Sequence, residues 1–99
     1  MADHQQDISR TEVELLSTAI NAWVIRTPGR RFPALVIQGD TLFGLLQEME
    51  RLLTGLRIAS GIDPKLVDSA HYLRDSLDER LQHFESVLQK HGIGLPYSR

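Results

Sequence analysis

Three arginines and a phenylalanine form the densest group of residues with chemical potential in this chain. Arg26, Arg30, Arg31 and Phe32 fall close together, and no acidic residue interrupts the group. Because arginine offers paired donors in a planar fork, such a turn can clamp a phosphate or another small anion. The alternative is a solvated hairpin turn whose charges prevent the edge strands from pairing with other chains. An aromatic ring within a basic turn favours a contact surface, either for an anion or for a partner protein.

A second candidate motif is VIQGDTL at residues 36–42. Its order of strand, glycine and helix start is similar to that of phosphate loops, in which amides at a helix N-terminus point at an anion. The motif lacks the glycine spacing and the Lys-Ser/Thr pair of a P-loop, and Asp40 would itself occupy the positive end of the helix. We therefore interpret Asp40 as a structural N-cap, and Asp63 before Pro64 as the N-cap of a second helix.

Histidine and carboxylate residues supply little further chemistry. None of the four histidines stands four residues from another, so no helical pair can hold a metal ion. Asp68, His71, Tyr72 and Asp75 recur at helical spacing, and a carboxylate beside a histidine can orient a general base. The alternative is the solvated polar face of a helix. Because the chain also lacks a G-x-S-x-G elbow, we predict no catalytic residue, no metal and no cofactor.

The composition is typical of a single folded globular domain. Ninety-nine residues suffice for a single modest core, and 41% hydrophobic with 24% charged residues lies far from the composition of disorder. The formal charge of −2 argues against binding to nucleic acid, because such binding usually needs a basic surface. The absence of cysteine fits a reducing compartment. With neither a signal peptide nor a long apolar run, we expect a cytoplasmic protein with no membrane partner.

Three short segments have the patterns of β-strands. Residues 11–16 alternate between apolar and acidic side chains, and residues 22–27 are rich in β-branched and aromatic residues. Pro28 and Gly29 stop the second segment. Residues 34–38, ALVIQ, are apolar on both faces. We expect this third segment to be the central strand of the sheet.

Two amphipathic helices follow the strands. The first has leucines and a methionine at three- and four-residue steps from Leu42 to Leu56 and ends at Ser60-Gly61. The second begins at Pro64, after Asp63, and keeps an apolar stripe to Leu88, with no further proline and no glycine until Gly92.

The order β-β-β-α-α predicts an α+β fold. We expect a three-stranded antiparallel sheet followed by two helices packed on one face, the second of them long. Residues 1–9 are predicted to be a flexible leader, residues 10–92 a single α+β domain, and residues 93–99 an extended tail.

The length of the second helix predicts an interface. Residues 64–91 would span roughly 42 Å as a helix, against about 28 Å for the first helix and about 20 Å for a six-residue strand. Neither element can cover the whole apolar stripe. We therefore expect the far end of the stripe to be buried by a second copy or by another protein. The residues predicted at this interface are Leu77, Leu81, Phe84 and Leu88.

The segment PGRRFPALVIQGDTL resembles a family of short bacterial proteins of unknown function that carry PGRRFP-x-x-VIQGD-x-L. The resemblance covers about residues 12–56, and Ala34 stands where the family pattern has glycine. It implies a bacterial, cytoplasmic protein and assigns no functional residue.

The leading hypothesis for function is a small non-enzymatic protein–protein interaction protein that is homodimeric through the long helix, the sheet face or both. An immunity or antitoxin-like protein that neutralises a partner is one alternative. An alternative of another class is a small anion-binding protein or enzyme that uses Arg26, Arg30 and Arg31, with His71 and Asp75 as an acid–base pair.

Overall fold

The computed structural model describes residues 8–99 and confirms the predicted α+β fold. Three strands are followed by two helices: β1 (Glu14–Ser17), β2 (Val24–Arg26), β3 (Ala34–Leu35), α1 (Gly39–Ile58) and α2 (Pro64–Lys90). The chain divides into two compact units after Gln38. We call residues 8–38 the sheet unit and Gly39–Arg99 the helical unit. The single domain expected for residues 10–92 stays a prediction, and residues 1–7 of the expected leader lie outside the described residues.

The sheet unit is an antiparallel meander with the order β1-β2-β3. Leu15 of β1 lies opposite Ile25 of β2, and the register then shifts before Ser17, so that β1 contains a bulge. The expectation that residues 34–38 form the central strand is wrong. Two short hairpin connections place the middle strand of the chain at the centre of the sheet, and that strand is β2.

The turn between β2 and β3 follows from its proline and glycine. Arg30 donates its backbone N–H to the carbonyl of Thr27 at 3.2 Å, and Gly29 has a φ of 77°. Pro28 at the second position and a glycine with positive φ at the third are the requirements of a type II turn. The turn therefore exposes the two adjacent arginines at its tip.

The strands are shorter than their sequence patterns. Only Ala34 and Leu35 of the segment 34–38 pair with β2 as strand residues, although Val36 still donates its N–H to the carbonyl of Trp23 at 2.8 Å. Because β2 has only three residues, it cannot pair with five. None of residues 8–38 is buried.

In the helical unit, α1 and α2 form an antiparallel hairpin. Gly39 at the start of α1 contacts the ring of Phe84, whereas Arg57 near the end of α1 lies 3.5 Å from the ring of His71. The apolar stripes of the two helices therefore face each other, as their three- and four-residue spacing requires. The buried side chains of this core are those of Leu46, Leu53, Ala70 and Leu81.

Both ends of α2 are capped. Asp63 is its N-cap, and the carboxylate accepts from the backbone N–H of Lys65 at 2.9 Å. At the other end, Gly92 has a φ of 70° and donates to the carbonyl of Gln89, while Ile93 donates to that of Leu88. These two bonds form a Schellman motif, for which a left-handed glycine is the favoured residue.

The start of α1 lies one residue earlier than its predicted cap. Gly39 is already helical, and Asp40 in the first turn accepts from the backbone N–H of Thr41 at 2.8 Å. Its carboxylate still lies at the positive end of the helix, where a negative charge is stabilising. Neither α1 nor α2 contains an apolar window long enough to cross a bilayer.

Candidate functional site

Arg26 of the basic turn is engaged within the sheet unit. Its Nε donates to Oε1 of Glu14 at 2.6 Å, across the strand pair β1-β2, and its Nη1 donates to the carbonyl of Arg31 at 2.9 Å. The guanidinium therefore ties the strand to the turn that follows it. Arg26 was predicted to contact an anion or a partner, and in the structure its guanidinium already makes two contacts within the sheet unit.

Arg30, Arg31 and Phe32 remain available at the tip of the turn. Neither guanidinium has an ion-pair partner among residues 8–99, and that of Arg31 lies 5.4 Å from the centre of the Phe32 ring. Together with Thr27 and Pro33 they line an open cavity of about 650 Å³. This surface offers positive charge and an aromatic face to a partner, but it does not enclose a ligand.

The four residues predicted at an oligomer interface lie inward on the hairpin. Leu81 is 0% exposed within the single chain, and Leu77, Phe84 and Leu88 are half-buried. The start of α1 covers part of Phe84, because the ring of Phe84 contacts the backbone of Gly39. Leu81 therefore belongs to the core of the hairpin and is not available at its surface.

The C-terminal tail packs on the helical unit, and sequence reasoning missed this. The ring of Tyr97 stacks on that of Phe43 with 4.2 Å between ring centres and 4° between planes. Its hydroxyl donates to Oε2 of Glu85 at 2.8 Å. Arg99 pairs with the same carboxylate at 3.2 Å and also with Asp78. A signal was present, since two acids seven residues apart lie on one face of a helix.

The pKa of Tyr97 is raised at this contact. Burial, followed by the hydrogen bond to Glu85, raises its pKa to about 12. The protonated hydroxyl is the form that donates to the carboxylate, so the folded chain favours it.

An apolar groove on the surface of the hairpin is the second feature that sequence reasoning missed. It has a volume of about 590 Å³. Three leucines along it remain largely exposed, Leu52 at 59%, Leu66 at 58% and Leu73 at 50%. We call this surface the hairpin groove. Its apolar lining is Met49, Leu52, Leu56, Leu66, Ala70 and Leu73.

The stripe on α1 contained a signal for the hairpin groove. Its apolar residues cover a wider arc than one neighbouring helix can bury. Leu46 and Leu53 face the core, whereas Leu45 and Leu52 lie to one side of them and are exposed. Which edge of the arc stays open depends on the packing of α2.

The other side of the hairpin carries a network of arginine, carboxylate and histidine side chains. Arg74 donates to Asp75 at 2.7 Å and lies 3.6 Å from Glu50. His71 lies 3.4 Å from Arg74 and 3.5 Å from Arg57. Asp75 is therefore engaged with an arginine, and the two ring nitrogens of His71 each lie near an arginine. Residues 8–99 contain no group of metal ligands.

The chain belongs to a family of unknown function, DUF6959, whose model matches residues 8–97. No curated protein and no solved structure matches the chain. This match supports the predicted membership of a family of unknown function, which was based on residues 12–56. The family match extends further than that resemblance and includes both helices and most of the tail.

Proposed function

We propose that this member of a family of unknown function is a homodimeric, non-enzymatic protein–protein interaction protein. In this proposal the sheet unit self-associates, and the hairpin groove docks a helix of another protein. The observation that carries it is the set of exposed leucines along the hairpin groove, on a hairpin that already has a core of its own.

The exposed leucines are not needed to fill that core. Leu53 and Leu81 are almost completely buried between the helices, whereas Leu52, Leu66 and Leu73 keep half or more of their area exposed. Single exposed apolar residues are ordinary, but a contiguous patch marks a binding surface. The groove therefore supports a role in binding over a role in folding.

An amphipathic helix fits the hairpin groove best. The groove lies between two packed helices, and a third helix laid along them would complete a small bundle. Gly55, Ser69 and Ala70 also line it, and these small residues let a partner backbone approach closely. From Met49 to Leu56 the groove is about 10 Å long at ~1.5 Å per residue. That length accommodates anchors at positions i, i+3 or i+4, and i+7 of a partner helix.

The test is a displayed library of amphipathic helical peptides selected against the wild-type chain. We expect the selected peptides to bind L73D at least about tenfold more weakly, because a charge at an apolar anchor leaves an unpaired desolvated group. The matched control is I58D, since Ile58 is 83% exposed on α1 but lies outside the groove. Peptides that bind L73D and the wild type equally well would contradict the groove as the docking site. Circular dichroism of each variant separates lost binding from lost folding.

Homodimerisation is supported by the sheet unit. Its three strands contain only nine residues and none of residues 8–38 is buried. Small sheets of this kind need a packed apolar layer or further strands to be stable. Sedimentation velocity of the wild-type chain should give twice the monomer mass at micromolar concentration. A monomer mass across the accessible concentration range would contradict this part of the proposal.

The finer expectations about family and location also belong to this proposal. We place the protein in the bacterial cytoplasm, supported by the absence of cysteine. The segment PGRRFP-x-x-VIQGD-x-L is proposed as a signature of its relatives. An immunity or antitoxin-like role is one form of the same activity, in which the docked helix comes from a toxin.

A further inference from the structure

We infer that two copies pair antiparallel through the outer edge of residues 34–38, with a two-fold axis at Val36. We call this segment the β3 edge. The inference rests on the homodimer proposed above and names its partner surface and register.

The hydrogen-bond pattern shows which backbone groups are available at the β3 edge. Val36 donates to Trp23 of β2, so its backbone polar groups face into the sheet. Backbone direction alternates along a strand, and Leu35 and Ile37 therefore face the opposite way. The strand order β1-β2-β3 leaves no described strand on that side. These outward groups form a template for another strand.

Only one symmetric register uses both outward residues. With the axis at Val36, Leu35 of one copy lies opposite Ile37 of the other, and each such pair exchanges both N–H···O bonds. An axis at Leu35 would place Ile37 opposite Pro33, which has no N–H to donate. An axis at Ile37 would place Leu35 opposite Gly39, which is already helical.

The side chains of the β3 edge favour a second copy as the partner. Residues 34–38 carry no charge, so that identical segments can pair without repulsion. Leu35, Val36 and Ile37 are all exposed, and each would lose apolar area to the partner. The outer edge of β1 differs, because Glu12 and Glu14 flank it with charges that oppose edge-to-edge pairing.

A cysteine at the proposed axis tests the register directly. The chain contains no cysteine, so V36C would carry the only thiol. Opposed residues in a pair without mutual hydrogen bonds have Cα atoms about 4.5 Å apart, within the range of about 4.4–6.8 Å for a disulfide. We expect oxidised V36C to migrate as a covalent dimer at low protein concentration. L15C, at an exposed position on the opposite edge strand, is the matched control and should stay uncrosslinked.

A proline at an outward position tests the hydrogen bonds. I37P removes an N–H that faces the second copy and leaves the bond from Val36 to Trp23 in place. We expect I37P to sediment as a monomer with the circular dichroism spectrum of the wild type.

The outcomes separate this inference from the proposal on which it rests. A wild-type dimer in which V36C crosslinks and I37P is monomeric supports both. A wild-type dimer that persists in I37P, without crosslinking of V36C, overturns the β3 edge and leaves homodimerisation standing. A dimer that L73D abolishes while I37P does not would place the interface in the hairpin groove and also overturn the inference. A monomeric wild type overturns both.

Discussion

The helical unit and the sheet unit bury their apolar residues very differently. The hairpin of α1 and α2 contains the fully buried Leu81 and the nearly buried Leu53, whereas none of residues 8–38 is buried. Two amphipathic helices can bury each other's stripes, because each supplies a continuous apolar face. Three short strands form a single layer, and backbone pairing alone creates no second layer for their side chains. The apolar side chains of the sheet unit are therefore left half-buried or exposed.

Truncation of a core side chain should give the largest loss of stability. It is also the most direct test of the difference between the two units. Leu81→Ala is expected to lower the free energy of unfolding by roughly 2–5 kcal/mol, because it opens a cavity at a fully buried position. The sheet counterpart, Leu15→Ala, removes a half-exposed side chain and should cost less than about 1 kcal/mol in a monomer. Urea denaturation followed by circular dichroism measures both. Equal losses would contradict the difference in burial between Leu81 and Leu15.

A pair of glycines on α1 sharpens the comparison within the helical unit. A Cβ at Gly39 would overlap the ring of Phe84, so Gly39→Ala should destabilise by about 1–3 kcal/mol. Gly44 lies on the same helix with open space around it, and Gly44→Ala should stabilise by roughly 0.5–1 kcal/mol through helix propensity. Thermal unfolding compares the two substitutions. Similar shifts in both variants would argue against the contact between Gly39 and Phe84.

The tail contact is expected to have a smaller effect. Tyr97→Phe keeps the aromatic ring against Phe43 and removes only the hydroxyl that donates to Glu85. The free energy of unfolding at neutral pH should fall by roughly 0.5–1.5 kcal/mol, the usual net contribution of one hydrogen bond. The matched control is Tyr72→Phe, which alters an exposed tyrosine and should leave stability unchanged.

The same tyrosine predicts a pH dependence. Its folded pKa of about 12 lies above the ordinary value of about 10, so the folded chain holds the proton more tightly than the unfolded chain. This contribution is fully present below pH ~10 and is lost as the pH rises through ~12. Stability should therefore fall over that window more steeply in the wild type than in Tyr97→Phe. Denaturant titrations at several alkaline pH values test this, and identical slopes would contradict it.

The ion pair of the sheet unit should give the smallest effect. Glu14→Gln removes the carboxylate that pairs with Arg26, but both side chains retain contact with solvent. Such pairs contribute about 0.2–1 kcal/mol and weaken in salt. Thermal unfolding at low and high ionic strength should therefore show a small loss that salt diminishes. A larger loss would show that Arg26 organises the turn through this pair.

Much of the fold was predictable because it depends on local chemistry. Asp63 with Pro64 and the later Gly92 bounded α2 correctly, since caps act on the nearest backbone groups. The strand order was not predictable in the same way. An apolar run such as ALVIQ suits a central strand, yet the two hairpin connections leave it at an edge.

The candidate sites were predicted only in part. The basic turn was identified, but Arg26 is paired with Glu14, and only 35% of its side-chain area is exposed. The far end of the α2 stripe was expected to be open, whereas Leu81 is buried in the hairpin. Both differences arise because exposure depends on neighbours that are distant along the chain.

By itself the sequence determined the types of the elements, the caps of α2, the basic turn and the absence of charge in residues 34–38. These follow from residue spacing and from side chains that act on adjacent backbone. The tertiary structure decided which apolar surfaces stay exposed, namely Leu52, Leu66 and Leu73 along the hairpin groove. It also decided that Tyr97 docks on Phe43. The physical reason is that burial is a property of pairs of elements, and periodicity describes only one element at a time.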